Sequence, residues 1–126
     1  MFSNTPAFSG FAVDDLDAAR SFYRDTLGLE VTDEEMGILT LHLAGDRATM
    51  IYPKPDFEPA TYTILNFQVG DVAAAVDELS SRGVEFERYD DFDQDEKGIA
   101  HTPDGGPDIA WFKDPAGNIL SVLSEA

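Results

Sequence analysis

Alternation of apolar and polar residues marks the elements of this chain before any single residue suggests chemistry. In Ile38 to Ala44, ILTLHLA, Leu39, Leu41 and Leu43 fall on one side and Thr40 and His42 on the other. That two-residue period is the mark of a half-buried strand. Ala7 to Val13 alternates in the same way, with Ser9, Phe11 and Val13 opposite Phe8, Gly10 and Ala12. The period then lengthens. Asp14 or Asp15 caps a helix whose apolar positions are Leu16, Ala19, Phe22 or Tyr23, and Leu27, and Gly28 stops it. Leu29 to Glu35 reads as a polar edge strand, Met36-Gly37 as a turn and Ala48 to Tyr52 as a short strand. Pro53, Pro55 and Pro59 forbid a regular ladder, so residues 53–61 read as a linker.

The same order then recurs. Thr63 to Val69 is a strand, Asp71 caps a helix with Val72, Ala75, Val76 and Leu79 on one stripe, and Gly83 ends it. Val84 to Tyr89 reads as a strand, followed by an acidic loop, a short strand from Ile99 to Thr102 and a turn from Pro103 to Pro107. The chain closes on Trp111 to Leu123, two apolar runs joined by Asp114-Pro115-Ala116-Gly117-Asn118, which is a hairpin signature. Phe11, Val13, Asp15, Ala18 and Ala19 return at constant spacing as Phe67, Val69, Asp71, Ala74 and Ala75, an internal repeat. The expected fold is α+β, with two βαβββ modules over residues 7–55 and 62–125 of a single 126-residue domain. Each module covers one face of its sheet with a helix. The other faces are expected to curve into a partly open mixed β-barrel around a cleft.

Charge changes the picture of partners. Twenty-five acidic residues face eight basic ones, for a net charge of -17. Nucleic-acid phosphates and anionic membrane surfaces are repelled by such a chain. The acidity serves solubility and also attracts cationic small molecules. There is no cysteine, hence no disulfide, thiolate ligand or thiol nucleophile. The first residues form no basic leader, and no apolar run is long enough to span a bilayer, so the reading is a soluble, cytoplasmic protein.

Two stretches carry a family likeness. VDDLDAARSFYRDTLGLEV, residues 13–31, resembles the opening of vicinal oxygen chelate proteins, the glyoxalase, bleomycin-resistance and extradiol-dioxygenase superfamily. FKDPAGNILSVL, residues 112–123, resembles the closing motif of that superfamily. The likeness implies the duplicated fold and, in metal-dependent members, four inward ligand positions filled by His or Glu. Carried over, they fall on Phe8 and Ile64 in the first strand of each module, and on Met50 and Ser121 in the last. None is a usual ligand for a divalent ion. No metal, no other cofactor and neither glyoxalase I nor dioxygenase chemistry is therefore expected. Members commonly pair, which implies a homodimer.

The face opposite the helices is expected to present Phe8, Met50, Tyr52, Ile64, Asn66, Gln68, Ile109, Trp111, Ser121 and Leu123, together with His42 and, by the same reading, His101. Apolar and aromatic walls with a few polar groups make a small-molecule pocket, and equally the filling of a small barrel. His42, His101 and Tyr52 are the candidate acid/base groups of a metal-independent lyase or isomerase. The other reading of both histidines is that of partly exposed, hydrogen-bonded strand residues. The leading function is a metal-free binding protein that holds a small, aromatic or cationic molecule, with bleomycin-resistance sequestration as the pattern. Asp91, Asp93 and Asp95 begin like a calcium loop, but its glycine falls on Glu96 and its closing glutamate on Thr102, so the stretch reads as a solvated loop or a lid over the cleft. Asp104-Gly105-Gly106-Pro107 has neither the helix nor the lysine of a phosphate cradle.

Overall fold

The computed structural model describes residues 1–125, which form two compact units, Met1–Glu58 and the chain from Pro59 onward. The first contains β1 (Ser9–Val13), α1 (Leu16–Ser21), β2 (Glu30–Glu34), β3 (Ile38–Leu43) and β4 (Arg47–Pro53). Its sheet runs in the order β1-β4-β3-β2, with β1 parallel to β4 and the other pairs antiparallel. The second contains β5 (Thr63–Val69), α2 (Val72–Ser81), β6 (Ala100–His101), β7 (Asp108–Lys113) and β8 (Ile119–Ser124). Its order is β5-β8-β7-β6, with β5 parallel to β8. Each unit is thus an open, mixed four-stranded sheet with helical cover, and the repeat seen in the sequence is a repeat of topology.

The two helices start alike. Asp15 accepts the Ala18 amide and Asp71 accepts the Ala74 amide, each at 3.1 Å, which satisfies an amide that the first turn leaves unpaired. Asp15, rather than Asp14, is therefore the cap. Replacing Asp71 with alanine should cost about 1 kcal/mol of stability, read from the denaturant midpoint.

Helix α1 does not continue regularly. Phe22–Thr26 forms a π turn in which the Leu27 amide reaches back to the Phe22 carbonyl at 3.0 Å. Tyr23, not Phe22, becomes the buried aromatic, fully inaccessible and 5.8 Å from the Phe11 ring. Val13, Leu39, Leu41 and Ile51 are also fully buried, on the faces opposite His42, Met50 and Tyr52. In the second unit α2 packs on β7 and β8 and buries Val72 and Val76, while Ala110, Phe112, Leu120 and Val122 are buried on the strands.

One expected strand is absent. Residues 84–89 contribute only a lone bridge, Phe86 to Phe112, and one further bond, from the Glu87 amide to the Trp111 carbonyl at 2.8 Å. The Gln94 side chain takes the bonds that a ladder would use. Its Oε1 accepts the Tyr89 amide at 2.7 Å, and its Nε2 donates to the carbonyls of Glu87 and Gly98 at 2.9 and 2.7 Å. Without that strand the second unit has three strands after its helix, as the first does.

The closing turn is built from its own side chains. Asp114 and Asn118 are only 4% and 2% exposed. Asp114 Oδ1 accepts the amides of Ala116 and Asn118 at 3.0 and 2.9 Å, and Asn118 Oδ1 accepts the Ala60 amide at 3.2 Å. Gly117 has a φ of 95°, a conformation that favours glycine, and a Cβ there would press on Pro59 at 3.3 Å.

Candidate open-face binding site

Pairing register decides which side chains share a face. In the first sheet, Gly10, Met50, Thr40 and Thr32 form one rung, and Ala12 and Tyr52 form the next. His42 lies on the same side, between Ala48 and Glu30. Phe8 precedes β1 on that parity and is 69% exposed. The structure therefore groups Phe8, His42, Met50 and Tyr52 on the face away from α1. His42 Nε2 lies 2.9 Å from Thr32 Oγ1, which donates to Glu34 Oε1 at 2.8 Å. Because that hydroxyl proton points to Glu34, His42 Nε2 is the donor to Thr32.

In the second sheet Asn66, Ser121 and Trp111 form one rung, and Gln68, Leu123 and Ile109 form the next. Both rungs face away from α2. Ser121 is fully buried and donates to Asn66 Oδ1 at 2.6 Å, so its proton is committed to an amide and not to a base. Ile64 sits at the irregularity between Thr63 and Leu65, outside the regular pairing.

His101 is not on this face. It pairs with Asp108, whose parity is that of Ala110 and Phe112, so the ring lies on the helix side. There it borders a recess of about 340 Å³, lined also by Gly70, Asp71, Val72, Asp95 and Asp108. Its Nε2 is 2.8 Å from Asp95 Oδ2 and its Nδ1 is 3.0 Å from Asp108 Oδ1. Hydrogen bonding to Asp95, then to Asp108, holds the imidazole above its ordinary 6.5. With both nitrogens on carboxylates, His101 has no lone pair to act as a base. Alternation could not place it, because β6 is two residues long and its register is set by contact alone.

Two further residues complete the open face of the second sheet, and neither was expected there. The Phe92 ring centroid lies 4.8 Å from that of Trp111, and the Tyr89 ring meets Trp111 edge-on at 5.4 Å. Phe92 is half exposed. The Tyr89 hydroxyl is buried and has no hydrogen-bond partner among the described residues. Its burial, then the nearby Glu87 carboxylate, pushes its pKa up, with Lys113 opposing. The only sequence signal for these two was an aromatic at every third position, Phe86, Tyr89 and Phe92, on the way into the acidic loop.

The positions that the family likeness assigns to metal ligands carry two hydrocarbons, a thioether and a hydroxyl: Phe8, Ile64, Met50 and Ser121. That donor set does not fit a divalent cation, which is held by imidazole, carboxylate or thiolate. No group of three or more His, Asp or Glu side chains among the described residues is arranged to hold one either. No helix among them is long and apolar enough to cross a membrane.

Comparison with known proteins agrees with this architecture. An antibiotic binding protein from Streptomyces sp. CB03234, TnmS3, superposes with a TM-score of 0.72 at 24% identity, over 98% of each chain. The genomically encoded fosfomycin resistance protein of Listeria monocytogenes gives a TM-score of 0.72 at 17% identity, over 98% of this chain and 94% of that one. Lactoylglutathione lyase from Agrobacterium tumefaciens gives 0.65 at 24% identity, over 97% and 95%. No match is found among curated proteins. The model of the Glyoxalase/Bleomycin resistance protein/Dioxygenase superfamily matches residues 7–122. The chain belongs to the glyoxalase/bleomycin resistance protein/dioxygenase superfamily.

Proposed function

We propose that this protein is a metal-free member of its superfamily that binds a small aromatic or cationic molecule against the open face of its second sheet and returns it unchanged. The observation that carries the reading is the buried, unpaired Tyr89 hydroxyl beside Trp111 and Phe92. An unpaired buried hydroxyl costs about 1–3 kcal/mol, so a turn of the Tyr89 ring that brings the hydroxyl to a bound ligand recovers that cost. Trp111 and Phe92 offer ring faces for stacking or for a cation. Asn66 and Gln68 add exposed amides on the same face. A net charge of -17 raises the local concentration of cations at any such surface.

Binding is favoured over lyase or isomerase chemistry by the histidines. His101 is on the other face with both nitrogens occupied, and His42 and Tyr52 belong to the first sheet. Pairing of two chains belongs to the same reading, and light scattering measures it. The antibiotic binding and fosfomycin resistance proteins that share the fold suggest antibiotics as the first compounds to try.

The test is a fluorescence titration with cationic glycopeptide and aromatic antibiotics, since Trp111 is the sole tryptophan. Binding should quench it, and the compound should be recovered intact. Tyr89→Phe should leave stability equal or raised by about 1 kcal/mol while weakening binding roughly tenfold. Stoichiometric zinc, nickel or iron in the purified protein, required for binding, would overturn the reading.

A further inference from the structure

We propose that residues 89–101 form a strap along the β6 edge of the second sheet, which holds Tyr89 and Phe92 on the open face and is latched on the helix side by protonated His101, and that it loosens when that imidazole loses its proton. The latch follows from hydrogen-bond chemistry. Asp95 Oδ2 and Asp108 Oδ1 lie 2.8 and 3.0 Å from the two ring nitrogens, and an ionised carboxylate only accepts. Both nitrogens must therefore carry a proton. Once one leaves, a lone pair faces a carboxylate and one of the two links is lost.

The two carboxylates sit on different parts of the molecule. Asp108 is fixed in β7, where its amide donates to Ser124 Oγ at 2.9 Å. Asp95 is the hub of the strap. Its Oδ1 accepts the amides of Lys97 and Ile99 at 2.9 and 3.0 Å. The strap is also tied within itself and to the two residues before it. Arg88 donates to the carbonyls of Asp95 and Glu96 at 2.9 and 2.6 Å, and Gln94 binds the backbone of Glu87, Tyr89 and Gly98. These bonds brace the part of the strap between Tyr89 and Gly98, which carries Phe92 and Tyr89 against Trp111, while its end at Ala100–His101 stays paired with β7.

The groups facing the latch are Asp71 at the cap of α2, Asp95, Glu96 and Lys97 of the strap, and Asp108 of β7. Lys97 is engaged by Asp77 of α2 at 2.8 Å, a tether independent of the histidine, so the strap loosens rather than leaves. The surplus of carboxylates favours the imidazolium. The latch is complete below the ordinary histidine value of 6.5 and is lost as pH rises through the raised value. At the acid end, burial pushes Asp95 up, but its bonds from His101, Ile99 and Lys97 outweigh that and hold it below 3.8, so failure there comes only in stronger acid.

No ligand is needed to test this, so its failure is distinct from failure of the binding reading. Trp111 emission and the histidine ring resonances are followed together from about pH 5 to 9, the range in which imidazoles titrate. Emission should shift to the red with rising pH, at the midpoint of the ring whose signals disappear in His101→Gln. In His101→Gln the shift should be absent, with emission fixed at the high-pH value. Asp108→Asn should move the midpoint to lower pH. Emission that stays flat while His101 titrates would overturn the proposal, as would a transition retained in His101→Gln. Should that variant not fold, an unmoved midpoint in Asp108→Asn overturns it instead.

Discussion

Trp111→Ala is expected to weaken ligand binding by at least about 2 kcal/mol, roughly thirtyfold in Kd, because a rigid aromatic anchor in a partly desolvated cluster carries a disproportionate share of binding energy. The ring is the meeting point of the open face. Phe92 and Tyr89 both pack on it, and its rung continues into Ser121 and Asn66. Stability should fall too, though by less than for a fully buried ring, because the side chain is only half buried. Each lost ring contact is worth about 0.5–1.5 kcal/mol beyond its area. Calorimetric titration reads the binding, since the variant has no tryptophan to report by fluorescence. Equal affinity in the two proteins would place the ligand elsewhere.

The adjacent position should behave in the opposite way. Phe112→Ala is expected to cost about 3–5 kcal/mol of stability, the usual loss when a buried phenylalanine leaves a cavity. Phe112 is fully buried on the helix side, pairs with Leu120 in β8 and meets the Phe86 ring at 5.6 Å. In a domain with total stability of about 5–15 kcal/mol that is a large share, equivalent to a fall in Tm of roughly 10–20 °C. Alternation along one strand thus separates a residue for binding from a residue for folding. A Phe112→Ala protein as stable as the wild type would contradict the assignment of faces.

Much of the fold was legible because its signals are local and redundant. Leu39 and Leu41 alternate with Thr40 and His42, and the structure buries the first pair and leaves His42 exposed. Asp15 and Asp71 announce the helices and cap them. The DPAGN turn states its chemistry in its side chains, with a carboxylate and an amide that tie the backbone and a glycine at a positive φ. The errors arose where one tertiary contact outweighs a pattern. Residues 84–89 alternate, yet the Gln94 amide captures their backbone, and Gln94 is a loop residue with no periodic mark. His101 was placed on the wrong face because nothing in a two-residue strand fixes its register except its partner Asp108.

The open face was read in part. Asn66, Gln68, Trp111 and Ser121 follow from parity on two well-marked strands, and they do share a face. Tyr89 and Phe92 were missed as members of it because a loop side chain has no parity. Only the closed course of the strap brings them to Trp111.

The indole N–H resonance of Trp111 reads the seat of the ligand most directly, because the chain has one tryptophan and hence one such signal. Saturation with the tightest-binding compound of the antibiotic panel should move that resonance together with the amides of Asn66, Gln68 and Ser121, and the compound should be recovered unaltered. Shifts confined to His42 and Met50 on the first sheet, or to the recess beside His101, would contradict a binding face built on Trp111.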